Sequence, residues 1–104
     1  MKQYTVDITD EALADMDQLY FYIAVRLQSP ENGMGQYDRI ADNILKLDNM
    51  PERYHVMDSE PEHSSGIRLM PVDKYSVFYV IKDDRVIVTN VLYSASDIRA
   101  GLSK

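Results

Sequence analysis

The sequence predicts an α+β domain in which an antiparallel helical hairpin packs on an antiparallel sheet of about four strands, followed by a short C-terminal helix. Apolar residues recur at steps of three and four between residues 12 and 47, as in amphipathic helices. Residues 66–93 instead contain three apolar runs of strand length, separated by short polar turns. Because the chain has 104 residues, we expect one domain that spans residues 1–104.

The N-terminal part is predicted to form a strand and then a helix. Residues 4–8 alternate large apolar side chains with smaller or polar ones, which is typical of a short strand. Thr9 or Asp10 then caps the helix with a side-chain oxygen. The predicted core stripe of this helix consists of Ala12, Met16, Leu19, Ile23 and Leu27. Residues 28–31 are expected to end it.

A second helix is predicted to follow directly and to fold back against the first as a hairpin. It is capped at residues 29–30, because serine suits the cap and proline suits the first helical position. Gly33 and Gly35 weaken its first turn, so we expect the ordered start near Gln36. The Met-Pro pair at residues 50–51 is expected to end the helix, since a residue before proline avoids helical geometry.

The C-terminal part is predicted to form three strands. Residues 51–65 are polar and read as a loop with a short extended piece at residues 54–57. The predicted strands are residues 66–72, Tyr75–Lys82 and Arg85–Tyr93. Two aspartates at residues 83–84 form the turn of a hairpin between the last two strands. The middle strand is apolar on both faces, and residues 94–102 are predicted to form the terminal helix.

Composition excludes several classes of protein. Cysteine is absent, which excludes disulfide frameworks, thiolate zinc sites and cysteine nucleophiles. No apolar run approaches the roughly 18 residues of a membrane-spanning helix, and the N-terminus lacks the apolar core of a signal peptide, so we expect a cytoplasmic protein without membrane contact. The net charge of −6 is uneven: residues 1–64 carry 13 acidic and 5 basic side chains, whereas residues 65–104 carry 4 and 6. Any anionic partner is therefore expected to bind the C-terminal part.

Several motifs in the strand region together carry a family resemblance. They are GIRL at residues 66–69, YSVFY at residues 75–79 and VLY at residues 91–93 with Asp97 beyond them. Two earlier stretches agree with them, VDITDEA at residues 6–12 and LDNMP at residues 47–51. In this ordered set the chain resembles the RelE/ParE superfamily of toxins from type II toxin–antitoxin systems, and in particular the ParE-like, plasmid-stabilisation proteins.

The resemblance implies a small cytoplasmic toxin that a cognate antitoxin binds and inactivates in a hetero-oligomer. RelE-like members cut mRNA on the ribosome, whereas ParE-like members poison DNA gyrase. The resemblance also implies that a nuclease would carry an arginine where Ser76 stands and basic or histidine residues around positions 93–96. Here the first basic residue after the last strand is Arg99.

RNA cleavage requires proton transfer and cations around the phosphate. If the chain is a nuclease, the candidate catalytic residues are Arg68 and Tyr93, with help from Lys74 or Arg99. Because the cations are few, a ParE-like toxin without a catalytic group of its own is the prediction. The alternatives are a RelE-like, ribosome-dependent mRNA endonuclease, or an attenuated homologue that only binds an antitoxin. No cofactor and no metal is expected, because the spacing of His55 and His63 matches no zinc motif.

Two further sets of residues carry expectations. Arg68 is expected to point away from the face of its strand neighbours, either as a structural arginine held by an acidic residue or carbonyl, or as a recognition cation. The side chains of Tyr20, Phe21 and Tyr22 cannot all face the core, because successive helical positions lie about 100° apart. Tyr20, Tyr22 and Arg99 are the predicted partner-binding residues.

Overall fold

The computed structural model describes residues 2–95. The predicted α+β class is confirmed, with two helices packed on a four-stranded sheet. The main elements in chain order are strand β1 (Thr5–Ile8), helix α1 (Asp10–Phe21), helix α2 (Pro30–Leu45) and strands β2 (Arg68–Val72), β3 (Tyr75–Lys82) and β4 (Arg85–Tyr93). Within the described chain, no helix is both long and apolar enough to cross a membrane.

The sheet is mixed, with the strand order β1-β4-β3-β2. The pairs β2–β3 and β3–β4 are antiparallel, as predicted, but β1 runs parallel to β4, with Thr5 opposite Arg85. The prediction of a wholly antiparallel sheet is therefore wrong at this one pair. Side-chain alternation reports which face a residue occupies and not the direction of a neighbouring strand, and the helical hairpin between β1 and the later strands permits a parallel return.

Helix α1 begins as predicted and then departs from its predicted stripe. The Thr9 hydroxyl accepts a hydrogen bond from the Ala12 amide at 3.1 Å, which caps the helix. At its C-terminal end the helix continues as a π-helix, Tyr22–Arg26. A π-turn takes more residues than an α-turn, so positions beyond it lose the α-helical phase. Leu27 is therefore 57% exposed, and its assignment to the core is wrong.

Helix α2 begins at Pro30 and not near Gln36 as predicted. Gly33 does not weaken this first turn as expected, because it is the residue through which the turn packs on the first helix. A Cβ atom on Gly33 would lie 3.2 Å from the Tyr20 carbonyl oxygen and 3.3 Å from the Ala24 Cβ. Glycine at this position thus allows the two helices to approach closely. The helix ends at Leu45, earlier than predicted, and passes into a 3₁₀ turn, Lys46–Asp48.

That early end is explained by contacts with the N-terminal segment. The Tyr4 amide donates a hydrogen bond to the Asp48 carbonyl at 2.8 Å, and Gln3 forms a bridge with Asn49. The bridge requires an extended backbone at Asn49, and the Asp48 carbonyl accepts from Tyr4 and not from a following helical amide, so the helix cannot continue. Met50 then adopts a left-handed conformation before the second 3₁₀ turn, Pro51–Arg53.

The strand predictions are confirmed for β3 and β4, whose bounds match, and for the two-residue turn between them. Strand β2 begins two residues later than predicted, at Arg68. The extended piece at residues 54–57 runs beside it, since the Met57 amide donates to the Ile67 carbonyl at 2.8 Å and Val56 bridges Arg68. Residues 94–95 form a turn, and the rest of the predicted C-terminal helix lies outside the described residues.

The core lies between the hairpin and one face of the sheet. Because paired residues in neighbouring strands share a face, Met70, Val77 and Val91 lie on the face that the helices cover. The helices contribute Ala12, Met16, Leu19, Ile40 and Ile44 to the same core. The opposite face carries Ser76 and Phe78, which are buried as well. Strand β3 is thus covered on both sides over its first half, as its apolar sequence predicts.

Candidate functional site

Arg68 and Tyr93, the two residues assigned to a nuclease, occupy different ends of the helix-facing side of the sheet. Arg68 is opposite Tyr79 in the β2–β3 pair, and Tyr93 is opposite Tyr75 in the β3–β4 pair. Tyr75 and Tyr79 are four residues apart on one strand, which corresponds to a separation of ~13 Å. The fold therefore does not bring Arg68 and Tyr93 together.

Arg68 is engaged by backbone carbonyl groups of the segment that follows α2. Its guanidinium donates to the Tyr54 carbonyl at 2.6 Å and to the Glu52 carbonyl at 3.2 Å. The ion pairs among residues 2–95 are Arg39–Asp73 and Arg85–Asp7, so Arg68 is held by carbonyl groups and not by a carboxylate. Half-buried between this segment and β3, Arg68 holds the polar loop against the sheet.

Two more hydrogen bonds hold the segment that Arg68 contacts. The buried Tyr79 hydroxyl donates to the Pro51 carbonyl at 2.6 Å, and the Tyr4 hydroxyl donates to the Glu52 carboxylate at 2.9 Å. Burial raises the pKa of Tyr79 to about 12, against a smaller opposing effect of the Arg68 charge. The pKa of the Glu52 carboxylate is lowered, chiefly because it accepts a hydrogen bond from its own backbone amide and secondly because it accepts one from Tyr4. With its pKa raised, the Tyr79 hydroxyl stays protonated at neutral pH and releases its proton less readily, so this cluster is suited to holding structure.

The opposite face of the sheet holds the position where the resemblance places a nuclease arginine. Ser76 is buried there, and its hydroxyl lies 2.8 Å from the hydroxyl of Ser94. The two serine hydroxyls are therefore hydrogen-bonded to each other. Arg68 belongs to the helix-facing side, so it cannot supply the missing cation to the Ser76 side without crossing the sheet.

A groove of about 860 Å³ opens between the tip of the helical hairpin and the end of the sheet. The roof consists of Leu19, Tyr22, Ile23 and Leu27, and the floor consists of Tyr75, Val91 and Tyr93 on the helix-facing side of the sheet. The rings of Tyr75 and Tyr93 meet edge to face, with centroids 5.6 Å apart. Tyr22, Leu27 and Tyr93 are all exposed in this concave surface. We call this surface the tip groove.

Polar groups along the rim of the tip groove are mostly fixed by one another. Arg39 and Gln36 both donate to the Asp73 carboxylate, at 2.9 and 3.0 Å, and these hydrogen bonds, that of Arg39 first, lower the pKa of Asp73. The Asp15 carboxylate accepts a hydrogen bond from the Val91 amide at 2.9 Å, which closes the edge of β4 beyond the end of β1. Burial raises the pKa of Tyr75 on the groove floor. The groove thus combines apolar walls with a pre-paired polar rim and suits binding rather than proton transfer.

The predicted partner-binding tyrosines separate onto two surfaces. Tyr22 lines the tip groove, whereas the half-buried Tyr20 packs edge to face against the exposed Phe21, with ring centroids 5.7 Å apart. Arg99 lies outside the described residues. Sequence reasoning missed Leu27 as a groove residue, although its place just before the helix break at residues 28–30 was a usable signal.

Comparison with known structures establishes the same fold in toxins at low sequence identity. The chain superimposes on the chromosomal ParDE toxin–antitoxin system from P. aeruginosa with a TM-score of 0.73 at 20% identity, covering 88% of this chain and 96% of that one. A mutant E. coli RelE toxin in the free state gives 0.65 at 15% identity, covering 97% and 92%. The RelBE2 toxin–antitoxin complex of Mycobacterium tuberculosis gives 0.63 at 20%, covering 88% and 98%.

Sequence comparison assigns the family. No curated protein matches the chain. Residues 6–98, however, match the family described as the ParE toxin of the type II toxin–antitoxin system parDE. This match runs from the first strand to beyond the last one and covers most of the chain. The chain therefore belongs to the ParE family of type II toxin–antitoxin toxins.

Proposed function

We propose that the chain inhibits growth by binding an essential protein target such as DNA gyrase, and that a cognate antitoxin neutralises it by occupying the tip groove. The observation that carries this proposal is the groove itself, where Tyr22, Leu27 and Tyr93 are exposed in one concave apolar surface. Exposed apolar surface in a concavity is characteristic of a site that a partner covers.

The form of the groove favours a peptide segment as its occupant. Tyrosines supply large apolar area with few rotatable bonds, which suits an interface. The paired rim of Arg39, Asp73 and Gln36 requires no charge from the partner, whereas Lys74, which also lines the groove, is exposed and offers one cation. An antitoxin segment that folds on binding would insert apolar side chains between roof and floor and place a carboxylate near Lys74.

The arrangement of cations argues against the alternative of an mRNA endonuclease. Arg68 is bound to two carbonyl groups about four strand residues away from Tyr93. Ser76 and Ser94 form a neutral pair on the other face. A phosphate undergoing attack by a 2′-hydroxyl gains negative charge and requires cations around it. Among the described residues that line the groove with Tyr93, Lys74 is the one unpaired cation, because Arg39 is bound to Asp73. We therefore favour the ParE-like function, in which the chain acts by binding.

The test of antitoxin binding compares two leucines of equal exposure. Leu27 is 57% exposed in the tip groove, and Leu45 is 60% exposed at the end of α2, away from it. Leu27→Ser should weaken binding to the product of the adjacent antitoxin gene by about tenfold or more, as loss of an interface anchor does. Leu45→Ser should leave the affinity unchanged, because it removes an equal apolar area outside the groove.

The measurement is a titration of purified toxin with purified antitoxin by calorimetry. Thermal melts of both variants establish that each remains folded, which is expected because both side chains are on the surface. Failure of the wild-type chain to bind the antitoxin at micromolar concentration would contradict the proposal. Equal weakening by the two variants would place the antitoxin elsewhere on the surface.

A further inference from the structure

The helical hairpin carries a second apolar surface, separate from the tip groove. It consists of Phe21 at the end of α1, Val25 in the π-helix that follows and Met34 near the start of α2, all three exposed and none of them lining the groove. We call these three residues the outer patch. Met34 lies beside the other two because its neighbour Gly33 packs against Ala24, the residue before Val25. Helix α1 is thus apolar on its core face and again on its outer face.

Acidic side chains surround the outer patch on both helices. Asp17 precedes Phe21 by four residues, and Glu31 and Asp38 lie three residues before and four residues after Met34, spacings that place them on the same helix faces. All three carboxylates are exposed, and none belongs to an ion pair of the described residues. Helix α1 carries four acidic residues and no basic one, and Arg26 is the single cation beside Val25.

We propose that the outer patch is a docking surface for an amphipathic helical segment whose apolar residues are flanked by lysines or arginines. The apolar side chains supply the contact area, and the acidic surround selects a basic partner. A second copy of this chain would bring the same acidic surround into contact with itself, and like charges at an interface disfavour such a pairing. Because the patch and the tip groove are different surfaces, a partner on the patch does not compete with an antitoxin in the groove.

The experiment uses two synthetic helical peptides with the same leucine stripe, one with lysines and one with glutamates on the polar face. Binding to the isotope-labelled full chain is followed by amide chemical shifts at low and high salt. The lysine peptide should shift residues around Phe21, Val25 and Met34 and lose at least about tenfold in affinity when salt is raised. The glutamate peptide should bind at least about tenfold more weakly than the lysine peptide.

Two adjacent aromatic residues provide matched variants. Phe21 is 60% exposed in the outer patch, and Tyr22 is 53% exposed in the tip groove. Phe21→Ser should weaken binding of the lysine peptide by about tenfold or more, whereas Tyr22→Ser should leave it unchanged. If Phe21→Ser does not fold, as a thermal melt reports, Val25→Ser replaces it.

Three results would overturn this inference. The shifts could centre on Tyr22 and Tyr93, the two peptides could bind equally well, or Phe21→Ser could leave the affinity unaltered. Sedimentation of the free chain supplies a fourth, since a dimer that Phe21→Ser dissociates would make the outer patch a self-association surface. None of these outcomes affects antitoxin binding in the tip groove, so this inference and the proposed function fail separately.

Discussion

Replacement of Arg68 by alanine tests whether this residue holds the fold together. The change removes two charge-assisted hydrogen bonds, to the carbonyls of Tyr54 at 2.6 Å and of Glu52 at 3.2 Å. Hydrogen bonds to charged groups contribute about 1.5–3 kcal/mol each, and the longer, more exposed one should lie at or below the low end. We therefore expect Arg68→Ala to lower the free energy of unfolding by roughly 2–3 kcal/mol. Arg68→Lys should recover about half, because an ammonium can reach one carbonyl but not both.

The assay is urea denaturation of both variants with thermal melts beside it. For a domain of this size, a loss of 2 kcal/mol corresponds to a decrease in Tm of about 8–16 °C. Arg85→Ala is the matched control, since Arg85 forms an exposed ion pair with Asp7 and its loss should cost less than about 1 kcal/mol. A loss below about 0.5 kcal/mol for Arg68→Ala, together with lost toxicity, would refute the structural role and make Arg68 a recognition cation.

Two further predictions concern the packing around the loop and the hairpin. Tyr79→Phe should cost about 1–3 kcal/mol at neutral pH, because the Pro51 carbonyl loses its buried donor. The pKa of Tyr79 is raised to about 12 in the folded state, so Tyr79 also contributes stability below its unfolded pKa of about 10. This contribution is lost as the pH rises from about 10 through 12. Over that range the free energy of unfolding should therefore fall less for Tyr79→Phe than for the wild type, as denaturation at each pH would show. Gly35→Ala should stabilise the chain by about 0.5–1 kcal/mol, since its Cβ would meet only the flexible end of Arg39. Gly33→Ala should destabilise it, since its Cβ would press on the backbone of α1, and equal melting temperatures for the two alanine variants would contradict this account of the hairpin.

Local sequence patterns predicted most of the fold. Apolar runs of strand length gave the bounds of β3 and β4, and the acidic pair at residues 83–84 identified their turn. The parallel pairing of β1 with β4 was not predictable in this way, because it depends on how the hairpin returns the chain. The exposure of Leu27 was missed because a π-turn shifts the helical phase without a sequence signature of its own.

The candidate site was less predictable, because it depends on contacts between distant segments. Sequence reasoning identified Tyr22 and Tyr93 separately as a partner-binding and a catalytic candidate, yet the fold places them in one groove. It placed Arg68 on the correct side of its strand but could not identify the carbonyls of residues 52 and 54 as its partners. The polar segment that provides them has no periodicity from which its path could be predicted.

Whether the chain acts by binding a target or by cutting RNA is decided by what it damages in the cell. The toxin is induced in bacteria without its antitoxin, and transcript ends and DNA breaks are mapped in the same culture. If the chain acts by binding, growth should arrest with DNA breaks and with transcripts that remain intact at ribosome-bound positions. Codon-positioned cleavage of ribosome-bound mRNA that Tyr93→Phe abolishes, in a variant that melts like the wild type, would contradict it.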